Sequence, residues 1–413
     1  MRFCMVTTFY PPESFGGDAT YVRGLALGLV ARGHEVTVVA CSDSYALLSH
    51  TGADAKESGD GVEHDNGVVV HRLRSKFGFL SPLLTQQTGH PGLKQAALEK
   101  ILGAQFDVIN FHNISLIGGP AVLRLGGSAA RLYTLHEHWL ICPTHIFWKN
   151  RKMACDRPTC FSCSVRSGIP PQLWRYTAFR DRCLAQVDRL LSPSEYTARR
   201  HREDGITQPI SILPLFSALA PPEGKQHIPG QRPTFVFAGR ITASKGIEEL
   251  VRAVSNAGDI DLRVVGDGPL LPKLTSQYGN HPNITFKGQI SQLDLVQQFV
   301  SATALVVPSL APETFGLTIV EAAACGTPAI VRAGTGGSME ILAQTGGGVV
   351  YDSEDTLLAA MRMLGAEPLR RKELGEKALA GYRKFYTRDI HIDRYLEEVD
   401  EIFTLRRREN RRL

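Results

Sequence analysis

Two cations and two carboxylates in the second half of the chain have the types and spacing to hold a phosphorylated ligand. Gly239-Arg240 follows an apolar run at residues 234–238, and Lys245-Gly246 follows shortly after. Two cations and a helix N-terminus at one strand end suit a pyrophosphate. The same residues, taken alone, also fit a surface turn. Further on, Glu313 and Glu321 bracket Thr314, Phe315, Gly316 and Leu317. This segment follows the apolar run 304–307, so Glu313 is expected in a strand-to-helix loop and Glu321 about one turn into the helix. Free backbone N–H groups near Phe315, Gly316 and Leu317 would suit phosphate, and a glutamate beside them would accept hydrogen bonds from sugar or ribose hydroxyls. A capping carboxylate and an exposed helix glutamate would give the same letters. In the first half, His136 ends the apolar run 131–135 and is followed by Glu137-His138-Trp139.

A separate cluster is Cys142, Cys155, Cys160 and Cys163, spaced C-x12-C-x4-C-x2-C. Four thiolates in one short segment suit a structural zinc ion, with iron–sulfur ligation as the second reading and four reduced thiols in a loop as the third. Trp139, Phe147, Trp148 and the cations Lys149, Arg151 and Lys152 lie in the same stretch, where they could grip a sugar acceptor or a lipid phosphate, or simply pack.

These residues need elements to position them. Apolar runs at 3–9, 35–40, 68–73, 107–112, 131–135, 189–192 and 210–213 alternate with helical patterns, of which 20–32 (Tyr21, Leu25, Leu29) is clear. A second series of strands falls at 234–238, 262–265, 284–286, 304–307, 329–331 and 348–351. Continuous apolar strands between helices indicate parallel sheets covered on both faces. The expected division is an N-terminal Rossmann-like domain at 1–218 with a cysteine-rich insertion at 139–171. A Pro/Gly-rich linker at 219–233 and a C-terminal Rossmann-like domain at 234–386 follow. The helix at 387–413 is expected to pack back on the first domain. Two doubly wound domains facing across a cleft would put ligands beyond the carboxyl ends of the strands.

The chain has 413 residues, 43% hydrophobic and 21% charged, which is ordinary globular usage for two domains. A net charge of +5 gives no reason to expect nucleic acid. The N-terminus lacks the apolar run of a secretory signal, and no stretch suits a bilayer span. A cytoplasmic protein is expected. The basic end, Arg406 to Arg412, could hold it at an anionic inner membrane face, or could be a solvated helix end.

The order of these motifs resembles the retaining GT-B glycosyltransferases of family four. The resemblance rests on Gly16-Gly17, Gly239-Arg240, Lys245-Gly246, Val264 to Pro269, Phe286 to Ile290 and Glu313/Glu321, and it covers nearly the whole chain. It implies an α/β protein of GT-B fold that moves a sugar from a nucleoside-diphosphate sugar to a saccharide or lipid-linked acceptor, as in polysaccharide biosynthesis. By that resemblance His136, Arg240, Lys245 and Glu313 serve catalysis. Gly16, Gly17, Gly239, Gly266, Gly288, Ile290, Thr314, Phe315, Gly316, Leu317 and Glu321 meet the donor. No catalytic divalent metal is expected. Asp259-Ile260-Asp261 precedes a strand and so lies at the wrong end of it. His136-Glu137 departs from the family's common His-Asp. The alternatives are a GT-B sugar-nucleotide epimerase, a phosphorylase, or a non-catalytic nucleotide-sugar-binding protein.

Overall fold

The computed structural model describes residues 1–49, 61–75, 77–217, 219 and 232–410. Most of the expected linker, and the last basic residues Arg411 and Arg412, lie outside the described residues. The chain divides into two units. One comprises Met1–His145, Cys160–Leu213 and Arg388–Leu413. The other comprises Ile146–Thr159 and Pro214–Thr387.

In chain order the strands are β1 (Arg2–Val6), β2 (Glu35–Cys41), β3 (Gly61–Asp65), β4 (Val68–Leu73), β5 (Val108–Phe111), β6 (Ala130–Thr134), β7 (Trp148–Lys149), β8 (Met153–Ala154), β9 (Arg189–Ser192) and β10 (Ile210–Ile212). The series continues with β11 (Thr234–Ala238), β12 (Asp261–Val265), β13 (Ile284–Gly288), β14 (Ala304–Val307), β15 (Ala329–Arg332) and β16 (Gly348–Tyr351).

The sheet of the N-terminal unit runs β10-β9-β6-β5-β1-β2-β4-β3. Its strands pair in parallel except β3, which pairs antiparallel with β4. Strand β3 had no apolar run to reveal it, because nearly all of it is exposed. The signal it did carry is the turn Asn66-Gly67, both at positive φ, which favours a two-residue hairpin. From β1, the chain builds outward first through β2 and then, on the other side, through β5. The sheet therefore reverses its winding between β1 and β5.

The C-terminal unit runs β13-β12-β11-β14-β15-β16, all in parallel. Here the reversal lies between β11 and β14. Its core is continuous, from Phe235 and Val264 on the sheet to Leu250, Val254 and Met361 on the covering helices. Both units are thus doubly wound α/β sheets, each with a switch point where strand-end loops diverge and leave room for a ligand. The segment Ile146–Thr159 carries the short hairpin of β7 and β8, whose turn residues Asn150 and Arg151 both have positive φ.

The last helix, Arg388–Asn410, belongs to the N-terminal unit. Arg189 on β9, only 8% exposed at its side chain, donates to Glu398 at 2.5 Å and to Glu401 at 2.6 Å. Ser211 on β10 also donates to Glu398. Arg406 is bound to Asp188 at 2.7 Å and to the carbonyl oxygens of Ser128 and Ala129. One cation of the basic end is therefore committed inside the fold rather than presented to a membrane. Among the described residues no helix is long and apolar enough to cross a membrane.

Breaking a buried ion pair from one side strands its partner charge. Arg189→Met is expected to destabilise the fold by about 3 kcal/mol, read as a fall of several degrees in the thermal midpoint, whereas Arg407→Met on the exposed end should leave the midpoint within about one degree.

Candidate functional site

The switch point of the C-terminal unit gathers the residues singled out from the sequence. Arg240 follows β11 and is exposed. Its guanidinium has no hydrogen-bond or ion-pair partner among the described residues. Lys245 lies in the loop after it, and Glu313 in the loop after β14. Nζ of Lys245 donates to Oε1 of Glu313 at 2.7 Å. The hydroxyl of Ser309 donates to the same oxygen at 2.5 Å, and that of Ser338 to Oε2 at 2.9 Å. Burial pushes the Glu313 carboxyl up, but Lys245 and the two hydroxyls outweigh it, so its pKa falls below the usual range. Glu313 is therefore a firmly ionised, well-fixed acceptor. Its backbone is locked as well: its N–H donates to Thr335 O at 3.0 Å, and its carbonyl accepts from Gly337 N at 2.9 Å.

Three helices start around this pair: Ile247–Ser255, Leu317–Ala324 and Gly337–Thr345. Their N-caps are Gly246, Gly316 and Gly336, all at positive φ, and none has a side-chain cap bond. Each first turn thus keeps N–H groups without a capping acceptor, an arrangement suited to phosphate. Glycine is required sterically at Gly246, where a Cβ would overlap the carbonyl oxygen of Pro308. It is required at Gly266 too, where a Cβ would overlap the backbone of Gly239. These contacts bring the loops after β11, β12 and β14 together.

Phe315 turns its ring inward against Tyr386, with centroids 5.9 Å apart, so this residue offers its backbone rather than its ring. Thr314 and Leu317 are half-buried beside it, as are Gly288 and Ile290 at the end of β13. Glu321 sits one turn into its helix. Burial raises its pKa to about 7.

In the N-terminal unit, Gly16 (φ 75°) caps the helix Gly17–Ala31, which follows β1. His136 follows β6. Its Nε2 lies 2.9 Å from Nδ1 of His112, which follows β5, and its ring meets Tyr21 edge-on. Burial, then the nearby His391, lowers the His136 pKa to about 3. It is a neutral hydrogen-bonding group at any working pH. Glu137 instead pairs with His145 at 2.8 Å.

Other residues singled out from the sequence lie in different surroundings. Asp259 is paired with Arg362 at 3.0 Å and Asp261 lies 3.2 Å from Arg232, at the amino end of β12, away from Arg240 and Glu313. Trp139 is buried against Trp174 and Arg175, so its ring is occupied by packing rather than offered to a sugar. Cys142 lies 3.2 Å from the Thr144 hydroxyl, Cys163 lies 3.8 Å from that of Ser167, and Cys155 reaches Arg157 O at 3.6 Å. Among the described residues, no group of three or more His, Cys, Asp or Glu side chains is placed to hold a metal ion. Ser309, Ser338, His112 and Asn113 were not singled out from the sequence. Single hydroxyls and amides carry no spacing signal, and they matter only because the fold brings them to a carboxylate or an imidazole.

Comparison with known proteins agrees with this architecture. Residues 15–216 match the family described as Glycosyltransferase Family 4, and residues 223–380 match Glycosyl transferases group 1. The chain is 28% identical over 422 residues to a D-inositol 3-phosphate glycosyltransferase of Arthrobacter sp., covering 94% of this chain and 91% of that one. Among solved structures, a sucrose-phosphate synthase from Thermosynechococcus elongatus superposes with a TM-score of 0.74 at 19% identity, covering 98% and 99% of the two chains. Anabaena HepE, solved in complex with UDP-glucose, superposes with a TM-score of 0.64 at 14% identity, covering 97% and 100%. With two doubly wound units, a cation–carboxylate pair at the expected strand ends and both family matches in register, the chain belongs to the family-four, GT-B-fold glycosyltransferases.

Proposed function

We propose that this protein transfers a sugar from a nucleoside-diphosphate sugar to a hydroxyl of a saccharide or lipid-linked acceptor, with retention at the anomeric carbon. The observation that carries the reading is the Lys245–Glu313 pair beside uncapped helix N-termini at the C-terminal switch point. The diphosphate would lie against Arg240, Lys245 and the amides of Gly316 and Leu317. Lys245 has three N–H donors, so it can keep Glu313 and still bind a phosphate oxygen. Glu313 would accept hydrogen bonds from hydroxyls of the transferred sugar, Thr314 would lie beside that sugar, and Glu321 would accept from the ribose. Gly239, Gly266, Gly288 and Ile290 would border the nucleoside.

In the reaction the anomeric C–O bond to the diphosphate breaks and a bond to the acceptor oxygen forms. A donor phosphate oxygen takes the acceptor proton on the same face. The protein supplies position and charge: Arg240 and Lys245 meet the negative charge that grows on the leaving diphosphate. His136 would hydrogen-bond the sugar; the acceptor proton goes to the donor phosphate, so the mechanism asks no proton transfer of it. Gly16 and Gly17 would let backbone approach the donor without a Cβ. Retention is the family's usual outcome and needs no protein base. A uridine donor is the first to test, since a structural relative was solved with UDP-glucose.

Three outcomes test this reading. Glu313→Ala and Lys245→Ala should each lower kcat/KM by about a hundredfold or more in an assay of nucleotide release from the donor, with the fold retained by circular dichroism and the thermal midpoint lowered by several degrees at most. Transfer should persist in excess EDTA; loss in EDTA with recovery on adding Mg²⁺ or Mn²⁺ would contradict the metal-independent mechanism. Glu321 gives a pH signature. Its folded pKa, about 7, lies above the ordinary carboxylate value, so its contribution to stability declines as pH rises towards 7 and is lost above it. Nucleotide binding runs the other way, because the ionised form accepts both ribose hydroxyls. UDP affinity should therefore rise from pH 6 to pH 8 in the wild type, and Glu321→Gln should flatten both dependences, read by calorimetric titration and thermal unfolding.

A further inference from the structure

The N-terminal switch point holds a half-buried carboxyl that the mechanism above does not use. Asp18 lies in the first turn of the helix after β1, and Asn113 follows β5, so they flank the two sides of the winding reversal. Nδ2 of Asn113 donates to Oδ2 of Asp18. Asn113 is itself anchored, its carbonyl accepting from the N–H and hydroxyl of Thr8 at 2.7 and 2.5 Å. Beyond this amide and its own backbone N–H, no further donor among the described residues reaches the Asp18 carboxyl.

Two neighbouring atoms are also unsatisfied. Oδ1 of Asn113 and Nε2 of His112 are both buried and lack hydrogen-bond partners among the described residues. Leaving buried polar atoms unpaired costs free energy, and such groups concentrate where a ligand completes them. Oδ1 of Asn113 and the ionised Asp18 carboxylate can only accept, and Nε2 of His112 takes either role according to its tautomer. Such a set calls for a ligand rich in O–H donors. Metal is the other class of partner for acceptors, but no metal-holding group of three His, Cys, Asp or Glu is present among the described residues.

We propose that Asp18, oriented by Asn113, binds the sugar acceptor by accepting a hydrogen bond from one of its hydroxyls, in the crevice between β1 and β5. The proposal rests on the glycosyltransferase reading. No proton transfer to Asp18 is involved; the carboxylate fixes the acceptor in the N-terminal unit. Burial, and after it the charge of the Glu137 carboxylate, raises the Asp18 pKa to about 6. The carboxyl therefore titrates where activity is measured.

The test uses the full-length chain, with UDP-glucose, GDP-mannose and ADP-glucose as donors. The acceptor probes are the methyl α-D-pyranosides of glucose, galactose and mannose. Asp18→Asn keeps the shape and lets the amide bond to Asn113, so a purely structural staple would survive it. The expected result is a fall of about tenfold or more in kcat/KM for the acceptor, with the donor dissociation constant within about twofold and the thermal midpoint preserved. The acid limb near pH 6 in the wild-type acceptor profile should also vanish. Unchanged acceptor kinetics would overturn the proposal, as would an equal loss of donor affinity, which would place Asp18 on the donor. Wild-type protein that neither binds a donor nor transfers would overturn the glycosyltransferase reading itself, a result distinct from either failure of the Asp18 variant.

Discussion

A carboxylate can remain ionised in a largely buried strand-end loop only if other groups repay the loss of water, and Glu313 shows what this requires. Lys245 supplies the charge, and Ser309 and Ser338 supply hydroxyl donors to its two oxygens. These four residues come from the loops after β11, β14 and β15. Their meeting demands that the strands end side by side and that the loops approach closely. The glycines answer that demand, since side chains at Gly246 and Gly266 would collide with neighbouring backbone. Much of the local architecture of the C-terminal unit follows from holding one charge in place.

The same physical logic gives the N-terminal unit a different surface. Its switch point holds neutral imidazoles, a carboxyl with a raised pKa and an amide, packed about Tyr21. In the proposed reading, one switch point would receive the negative charge of a diphosphate and the other the uncharged hydroxyls of a sugar. The final helix joins this second environment through the Tyr21–His391 hydrogen bond of 2.7 Å and the Arg189 ion pairs. Substitutions on that helix can therefore reach the histidine cluster without touching a ligand.

Much of this was legible in the sequence for a physical reason. Buried parallel strands must be mostly apolar, so β11 and β14 announce themselves with their limits. The glycine–cation and glutamate spacings survive because backbone geometry dictates them. What was not legible has physical causes too. The exposed edge strand β3 has no apolar pattern, and only Asn66-Gly67 marked it. The buried ring of Trp139 could not be told from an exposed one. Ser309, Ser338, Asp18 and Asn113 acquire meaning from contacts over distances in the chain that no local pattern records. The cysteine spacing suggested an ion; in the fold the sulfurs of Cys142, Cys155 and Cys163 have a hydroxyl or carbonyl neighbour within a few residues.

The central claim is that the amides opening the helix after Glu313, together with Lys245, receive the donor diphosphate. Hydrogen–deuterium exchange, with and without UDP-glucose or whichever nucleotide sugar binds, tests it most directly. The account predicts slowed exchange at Phe315 to Thr318 and in the loop from Arg240 to Ile247, with little change at the amino ends of the same strands. Binding that leaves both segments unprotected while protecting amides elsewhere would contradict it.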